Sequence, residues 1–187
     1  GERAGMNRGR SGEQPGNKLE ALQRMILDRI MVDVKLTGRS GEEKDALNRA
    51  WNRLTTWEEA VAGLTRLKKK FIIATRSNGN ISLMTDLARH GGLPWDAILG
   101  AELVHHYKPD REVYLSAAEL LDLKPAEVMM VAAHLGDLRA AKAPGLRTAF
   151  VVRPKEYGSE GKPDLKADGV TDLSAADFND LAKQLGA

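Results

Sequence analysis

The amino-acid sequence predicts an α/β fold: a parallel sheet with helices on both faces, preceded by a region that is helical throughout. Three observations carry this expectation. Before Lys70 the apolar residues recur only at helical spacing, whereas after it short apolar runs rich in β-branched residues alternate with helical patterns. Those runs are continuous, as in strands covered on both faces. Several of them also end in polar clusters, where open parallel sheets bind their ligands.

Taken in order, residues 1–18 show no hydrophobic periodicity and read as a flexible segment. Leu19, Leu22, Ile26 and Ile30 then predict an amphipathic helix up to about Val34. Ser40 with Glu43 has the form of a capping box, and Leu47, Ala50, Trp51 and Leu54 mark the inner face of a second helix. Thr56 with Glu59 repeats that signal before a third helix carrying Val61, Leu64 and Leu67. Residues 71–75 read as the first strand, 81–90 as a helix with Ile81, Met84, Leu87 and Ala88 on one face, and 97–101 as a short second strand. A helix at 111–121 follows, then the run VMMVAA at 128–133 as a buried strand. A short helix at 137–142, ended early by Pro144, leads to a strand at 147–152. The stretch 154–168 reads as a surface connection, and 174–185 as a closing helix with Ala175, Phe178, Leu181 and Leu185 inward.

Composition narrows the function classes. The 28 lysines and arginines are nearly balanced by 26 aspartates and glutamates, so the formal charge of +2 gives no strong field for nucleic acid or an anionic membrane. With no cysteine, disulfides, thiolate metal sites and a cysteine nucleophile are excluded, and the chain fits a reducing cytoplasm. No apolar run approaches the roughly 20 residues of a membrane span. The first 18 residues lack the apolar core of a signal peptide, and neither G-x-G-x-x-G nor a Walker-type loop is present. The reading is a cytoplasmic protein with no nucleic-acid or membrane partner.

Three polar clusters can carry chemistry. Ser77, Asn78 and Asn80 follow the first strand and offer a hydroxyl and two amides to an oxyanion; alternatively Asn80 caps the next helix and Gly79 permits the turn. In His105-His106-Tyr107-Lys108-Pro109-Asp110, followed by Tyr114, a lysine held before a proline can pin a carboxylate or phosphoryl oxygen, or be a solvated loop lysine. His105 and His106 are adjacent, point apart and read as surface or packing residues. After the strand at 128–133, Asp137 can orient a lysine or a water, or cap the helix that follows. A magnesium site would want a second carboxylate beside it, which Ala133 and Gly136 do not supply, so no metal is expected.

In this order and spacing the motifs S-N-G, Y-K-P-D with a tyrosine six residues after the lysine, and A-A-H-x-x-D resemble the type II, or L-2-haloacid, dehalogenases of the haloacid dehalogenase (HAD) superfamily. GLPWDAILGAE, EVYLSAAELL, EVMMVAAH and LNRAWNRL are similar to that family as well. The resemblance implies a HAD-like Rossmannoid core at residues 70–187, a helical cap remnant at 18–69 and a flexible segment at 1–17. It implies a cofactor-free hydrolase in which an aspartate displaces halide from a small 2-halocarboxylate, and a homodimer. Lys108 would pair with that aspartate, Asp137 would hold the lysine and the hydrolytic water, Ser77 would hydrogen-bond carboxylates at the site with Asn78 beside it, and Tyr114 would stand nearby, Asn78 and Tyr114 contacting the substrate.

The sequence departs from the family where the nucleophile is concerned. Nothing before Lys18 resembles its D-x-x-G-T motif, so the first core strand is expected to be missing and activity impaired. DVKLT at 33–37 has the aspartate-to-threonine spacing and makes Asp33 the candidate replacement, although it falls where the family has a helix end and loop. Without the central strand, the sheet is expected to close by direct pairing of its flanking strands or to accept a strand from another chain. Arg76, where the family has an apolar residue, is expected to turn outward or find a carboxylate; Leu135 stands where an asparagine is usual. A noncatalytic oligomerisation module and a magnesium-dependent phosphatase are the alternative readings.

Overall fold

The computed structural model describes residues 19–36, 38–158 and 161–187. The segment expected to be flexible at 1–17 lies outside them, as does Thr37 of the DVKLT run. Helices α1 (Leu19–Asp33) and α2 (Gly41–Asn48) are followed by a 3-10 turn (Arg49–Arg53) and α3 (Ala60–Lys68). Then come β1 (Ala74–Ser77), α4 (Ile81–Gly91), β2 (Ala97–Gly100), α5 (Arg111–Leu120), β3 (Met129–Ala132), α6 (Leu135–Lys142), β4 (Arg147–Val151), β5 (Leu173–Ala175) and α7 (Phe178–Gln184). No described helix is long and apolar enough to cross a membrane.

The α/β class holds, and every described strand pairing is parallel: β1 with β2, β3 with β4, and β4 with β5. The strands form two sheets, β1-β2 and β3-β4-β5, and direct pairing of β1 with β3 is not formed. Two sets of contacts hold the halves together. At one end Ile73, just before β1, shares an apolar cluster with Leu64, Leu67, Val151 and Leu181, against which Met129 and Val131 of β3 also pack. At the other, side chains following β2 and β3 meet across the gap, as described below.

The helical faces differ from the periodicity reading. Among the described side chains of α1 the buried residues are Gln23 and Met31, while Ile26 is partly buried and Ile30 exposed; Leu19 and Leu22 lie outside them. The Ser40 capping box forms in both directions, with Glu43 N–H donating to Ser40 Oγ (3.1 Å) and Ser40 N–H to Glu43 Oε2 (2.8 Å). The helix it starts nevertheless stops at Asn48, and the tighter turn that follows swings Leu47, Trp51 and Leu54 outward, each about half exposed. Asn52 is the residue that turns in, donating to Asp86 Oδ2 at 2.8 Å. The second capping box is not made: α3 begins at Ala60, and Glu59 instead pairs with Arg153 at 2.7 Å, whose guanidinium lies over the Trp57 and Phe178 rings. On α4 the buried residue is Leu83.

Two strands also depart from expectation. β1 starts three residues late, because its register is set by β2, Ala74 opposite Ala97, leaving Phe71 and Ile72 exposed. The first residues of the expected closing helix are β5, whose Ala175 pairs with Val151 before α7 begins.

Helix α3 packs on α7 through Gly63. A Cβ added there would lie 2.4 Å from Phe178 Cβ, so only glycine allows this approach. In an exposed helix glycine-to-alanine would stabilise by up to about 1 kcal/mol. Here Gly63→Ala is expected to lower the unfolding free energy by about 1–3 kcal/mol, as overpacking does, measured by urea titration; an unchanged or raised midpoint would contradict the packing of α3 on α7.

Candidate active site

The carboxyl ends of β1 and β3 bring together most of the side chains singled out in the sequence. β1 ends at Ser77, whose Oγ accepts the Gly79 N–H (3.0 Å) and closes a tight turn into α4. Asn80 stands at the N-cap position with extended backbone, but its side chain donates to Ser82 Oγ (2.5 Å) and makes no bond to the helix amides. Asn78 reaches across the turn, and its Oδ1 accepts the Lys108 backbone N–H at 2.7 Å, fixing the loop after β2 against the end of β1.

That loop delivers Lys108 to Asp137. Lys108 Nζ donates to Asp137 Oδ2 at 2.7 Å, and the Tyr114 hydroxyl donates to Oδ1 at 2.5 Å, so both carboxylate oxygens are engaged. Asp137 is in the first turn of α6, where the helix dipole favours an anion; it does not stand at the cap, which is His134. Tyr114 is fully buried from α5. Burial, and then the neighbouring Asp137, push its hydroxyl far above the ordinary tyrosine range, which keeps it a donor. Burial lowers the Lys108 ammonium below its ordinary value; Asp137 opposes this shift and Arg76 adds to it.

Arg76 takes neither of its expected courses. It turns inward from β1 and donates from Nε to Val113 O (2.5 Å), from Nη1 to Gly100 O (3.0 Å) and from Nη2 to Ser116 Oγ (2.9 Å). Carbonyls and a hydroxyl thus take the place of a carboxylate, and burial lowers the guanidinium to about 10. Its place at the end of a strand, where the resembled family has an apolar residue, was the signal for it; nothing in the sequence marked Ser116 as its partner.

Asp33 is not brought to this site. It is the last residue of α1, exposed, with the chain turning at Val34 and Lys35, and it is not among the residues lining the cavity at Lys108. A helix end replaces the strand end that the DVKLT spacing required. His105 and His106 are exposed, with His106 Nδ1 3.3 Å from Asp110. The segment after β4 folds back over the end of β3: His134 Nε2 lies 2.9 Å from Glu156 Oε1 and 3.1 Å from the Tyr157 hydroxyl, and Leu135 N–H donates to Asp164 Oδ2 (2.8 Å). The amide that Leu135 lacks as a side chain is thus matched by a use for its backbone. No group of three histidine, aspartate or glutamate side chains is placed to hold a metal among the described residues.

The two neighbours of Lys108 make opposite predictions for its titration. Asp137 favours its charged form, so Asp137→Asn is expected to lower the Lys108 pKa further; Arg76 disfavours it, so Arg76→Met is expected to raise it toward the ordinary 10.5. NMR titration of the labelled lysine Cε reads both, and shifts of the same sign in the two variants would contradict the electrostatic description.

The model of haloacid dehalogenase-like hydrolases matches residues 12–145. (S)-2-haloacid dehalogenase 1 of Pseudomonas sp. (strain CBS-3) is 34% identical over 125 residues, 62% of this chain and 55% of that protein. Pyrophosphatase PpaX of Bacillus cereus (strain G9842) is 30% identical over 105 residues, 54% of this chain and 48% of that protein. The chain therefore spans about half the length of the curated relatives it matches. Among solved structures, the defluorinating L-2-haloacid dehalogenase Rha0230 superposes with a TM-score of 0.95 at 44% identity, over 99% of this chain and 76% of that one. With a family model covering most of the sequence and a structural relative covering nearly all of it, the chain belongs to the haloacid dehalogenase-like hydrolases, among relatives that are L-2-haloacid dehalogenases.

Proposed function

We propose that this site is of the 2-haloacid dehalogenase kind, built for hydrolytic removal of halide from short 2-halocarboxylates. The observation that carries the reading is the Lys108–Asp137–Tyr114 cluster at the carboxyl ends of β1 and β3, in a chain 44% identical to a defluorinating L-2-haloacid dehalogenase. In such a reaction a carboxylate oxygen bonds to the substrate's C2 as the carbon–halogen bond breaks and halide leaves with the electron pair. Water then adds to the ester carbonyl, giving the 2-hydroxy acid, the free carboxylate and one proton released to solvent.

Lys108 is suited to hold the attacking carboxylate. Asp137, with both oxygens already engaged, is suited to orient Lys108 and the water and not to attack. Tyr114 fixes Asp137, while Ser77 and Asn78 offer hydrogen bonds to the substrate carboxylate. Asp33, exposed and outside the cavity, has no part in this reading, so no attacking carboxylate is assigned among the described residues and turnover is impaired. Magnesium-assisted phosphoryl chemistry, suggested by the pyrophosphatase relative, is disfavoured because Asp137 is committed to Lys108 and Tyr114.

The test is exposure of the chain to L-2-chloropropionate, with binding followed by NMR and chloride release by ion-selective electrode. Binding is expected to perturb the nearby Lys108 resonance and to weaken about 10-fold in Ser77→Ala, the loss of one hydrogen bond to the substrate carboxylate. Chloride release is expected at background level and indifferent to Asp33→Asn. Turnover abolished by Asp33→Asn would overturn the assignment of the attacking group, and magnesium-dependent phosphate release from pyrophosphate would overturn the reaction class.

A further inference from the structure

The haloacid reading gives no role to Arg76, a cation where the resembled family has an apolar residue. Its Nε and Nη2 donate to Val113 O and Ser116 Oγ, on either side of Tyr114 in α5. The Tyr114 hydroxyl in turn meets the carboxylate that holds Lys108. Arg76 is thus fixed beside Lys108, with carbonyls and a hydroxyl for partners in place of a carboxylate.

Lys108 is largely withdrawn from water, its side chain 17% exposed. A lysine that is desolvated and stands next to a second cation gives up its proton more readily than a surface lysine, and the resulting amine is a nucleophile. Burial is the main cause of the lowered Lys108 proton affinity, and Arg76 adds to it while Asp137 opposes. The charged and titratable groups that face Lys108 are Asp137 from α6, Tyr114 from α5 and Arg76 from β1, with Asp110 at the start of α5 acting on Tyr114. Asp137 Oδ2, 2.7 Å from Nζ, is placed to exchange protons with the amine, and Tyr114 steadies its other oxygen. Ser77, Lys108, Tyr114 and Asp137 line one cavity.

We propose that Lys108 is an amine nucleophile as well as a carboxylate clamp, its Nζ condensing with the carbonyl carbon of a short 2-oxo acid. The amine chemistry is independent of haloacid turnover. The choice of a 2-oxo acid rests on the haloacid reading, in which Ser77 and Asn78 are offered to a carboxylate next to the reacting carbon. Asp137 takes one proton from the ammonium, and the freed lone pair bonds to the carbonyl carbon. The carbonyl oxygen gathers a second proton from the nitrogen and the one held by Asp137, then leaves as water. Ammonium and ketone become iminium and water, with nothing oxidised or reduced.

Incubating the whole chain with pyruvate and sodium cyanoborohydride tests this, because hydride from the reductant converts the iminium to a secondary amine that peptide mass spectrometry locates. At neutral pH the adduct is expected to form on Lys108 at least about 10-fold faster than on the exposed Lys155, the effect of one unit in amine titration. Arg76→Met, or Arg76→Gln should the first variant fail to fold by thermal melting, is expected to slow it severalfold and to shift its rise with pH upward, leaving the Lys155 rate unchanged. With methyl pyruvate, which lacks the charge, the preference for Lys108 is expected to fall severalfold. Labelling of Lys108 no faster than of Lys155, a folded Arg76 variant that reacts as the parent does, or an undiminished preference with methyl pyruvate would each overturn the proposal. Adduct on Lys108 without binding of L-2-chloropropionate would overturn the haloacid reading and sustain this one.

Discussion

The bridge from Lys108 to Asp137 is the contact on which the rest of this structure turns. Lys108 belongs to the loop after β2 and Asp137 to the helix after β3, so one ion pair of 2.7 Å joins two half-sheets that share no backbone ladder. Tyr114 closes the other side of the carboxylate, and Asn78 anchors the lysine's own backbone. The same few bonds therefore set the separation of the edges and assemble the candidate site. Breaking either partner would leave a charge half-buried and unpaired, which is far more disruptive than the small net value of the intact pair.

Arg76 shows how a rule of sequence reading can be met in an unexpected way. A buried guanidinium requires partners, and a carboxylate is the usual one. The end of β1 instead lies against the start of α5 and the end of β2, where Val113 O and Gly100 O are in reach. Arg76 thereby ties three elements together and leaves its charge unneutralised next to Lys108, whose proton affinity it lowers. An apolar residue at that position would pack but could not do either.

Much of the α/β alternation was legible because β2, α4, α5 and β4 are short elements bounded by glycine, proline or polar clusters, and those signals are local. The site was legible for a related reason. Ser77 ends a strand of a parallel sheet and Lys108 and Asp137 follow such strands, and parallel strands bring their carboxyl ends together whatever the intervening helices do. What failed needed tertiary information. Leu47, Trp51 and Leu54 fit a helical stripe, but the helix tightened after Asn48 and turned them out while Asn52 went in to Asp86. Glu59 had the spacing of a capping residue, yet Arg153, distant in sequence, claimed it. Asp33 had the spacing of a nucleophile motif on a backbone that is helical, and spacing alone does not distinguish a strand end from a helix end.

β1 and β3 face each other as two open, parallel edges held apart by contacts at their ends. Amide hydrogen exchange resolved by residue tests it directly, since successive amides of a strand point to opposite sides and only one side of each strand is paired. Within Ala74–Ser77 and Met129–Ala132 the account predicts alternation, with amides directed at β2 or β4 exchanging slowly and those directed into the slot exchanging at the rates of exposed loops. Slow exchange at every amide of both strands would contradict it, because that pattern requires a ladder on both sides.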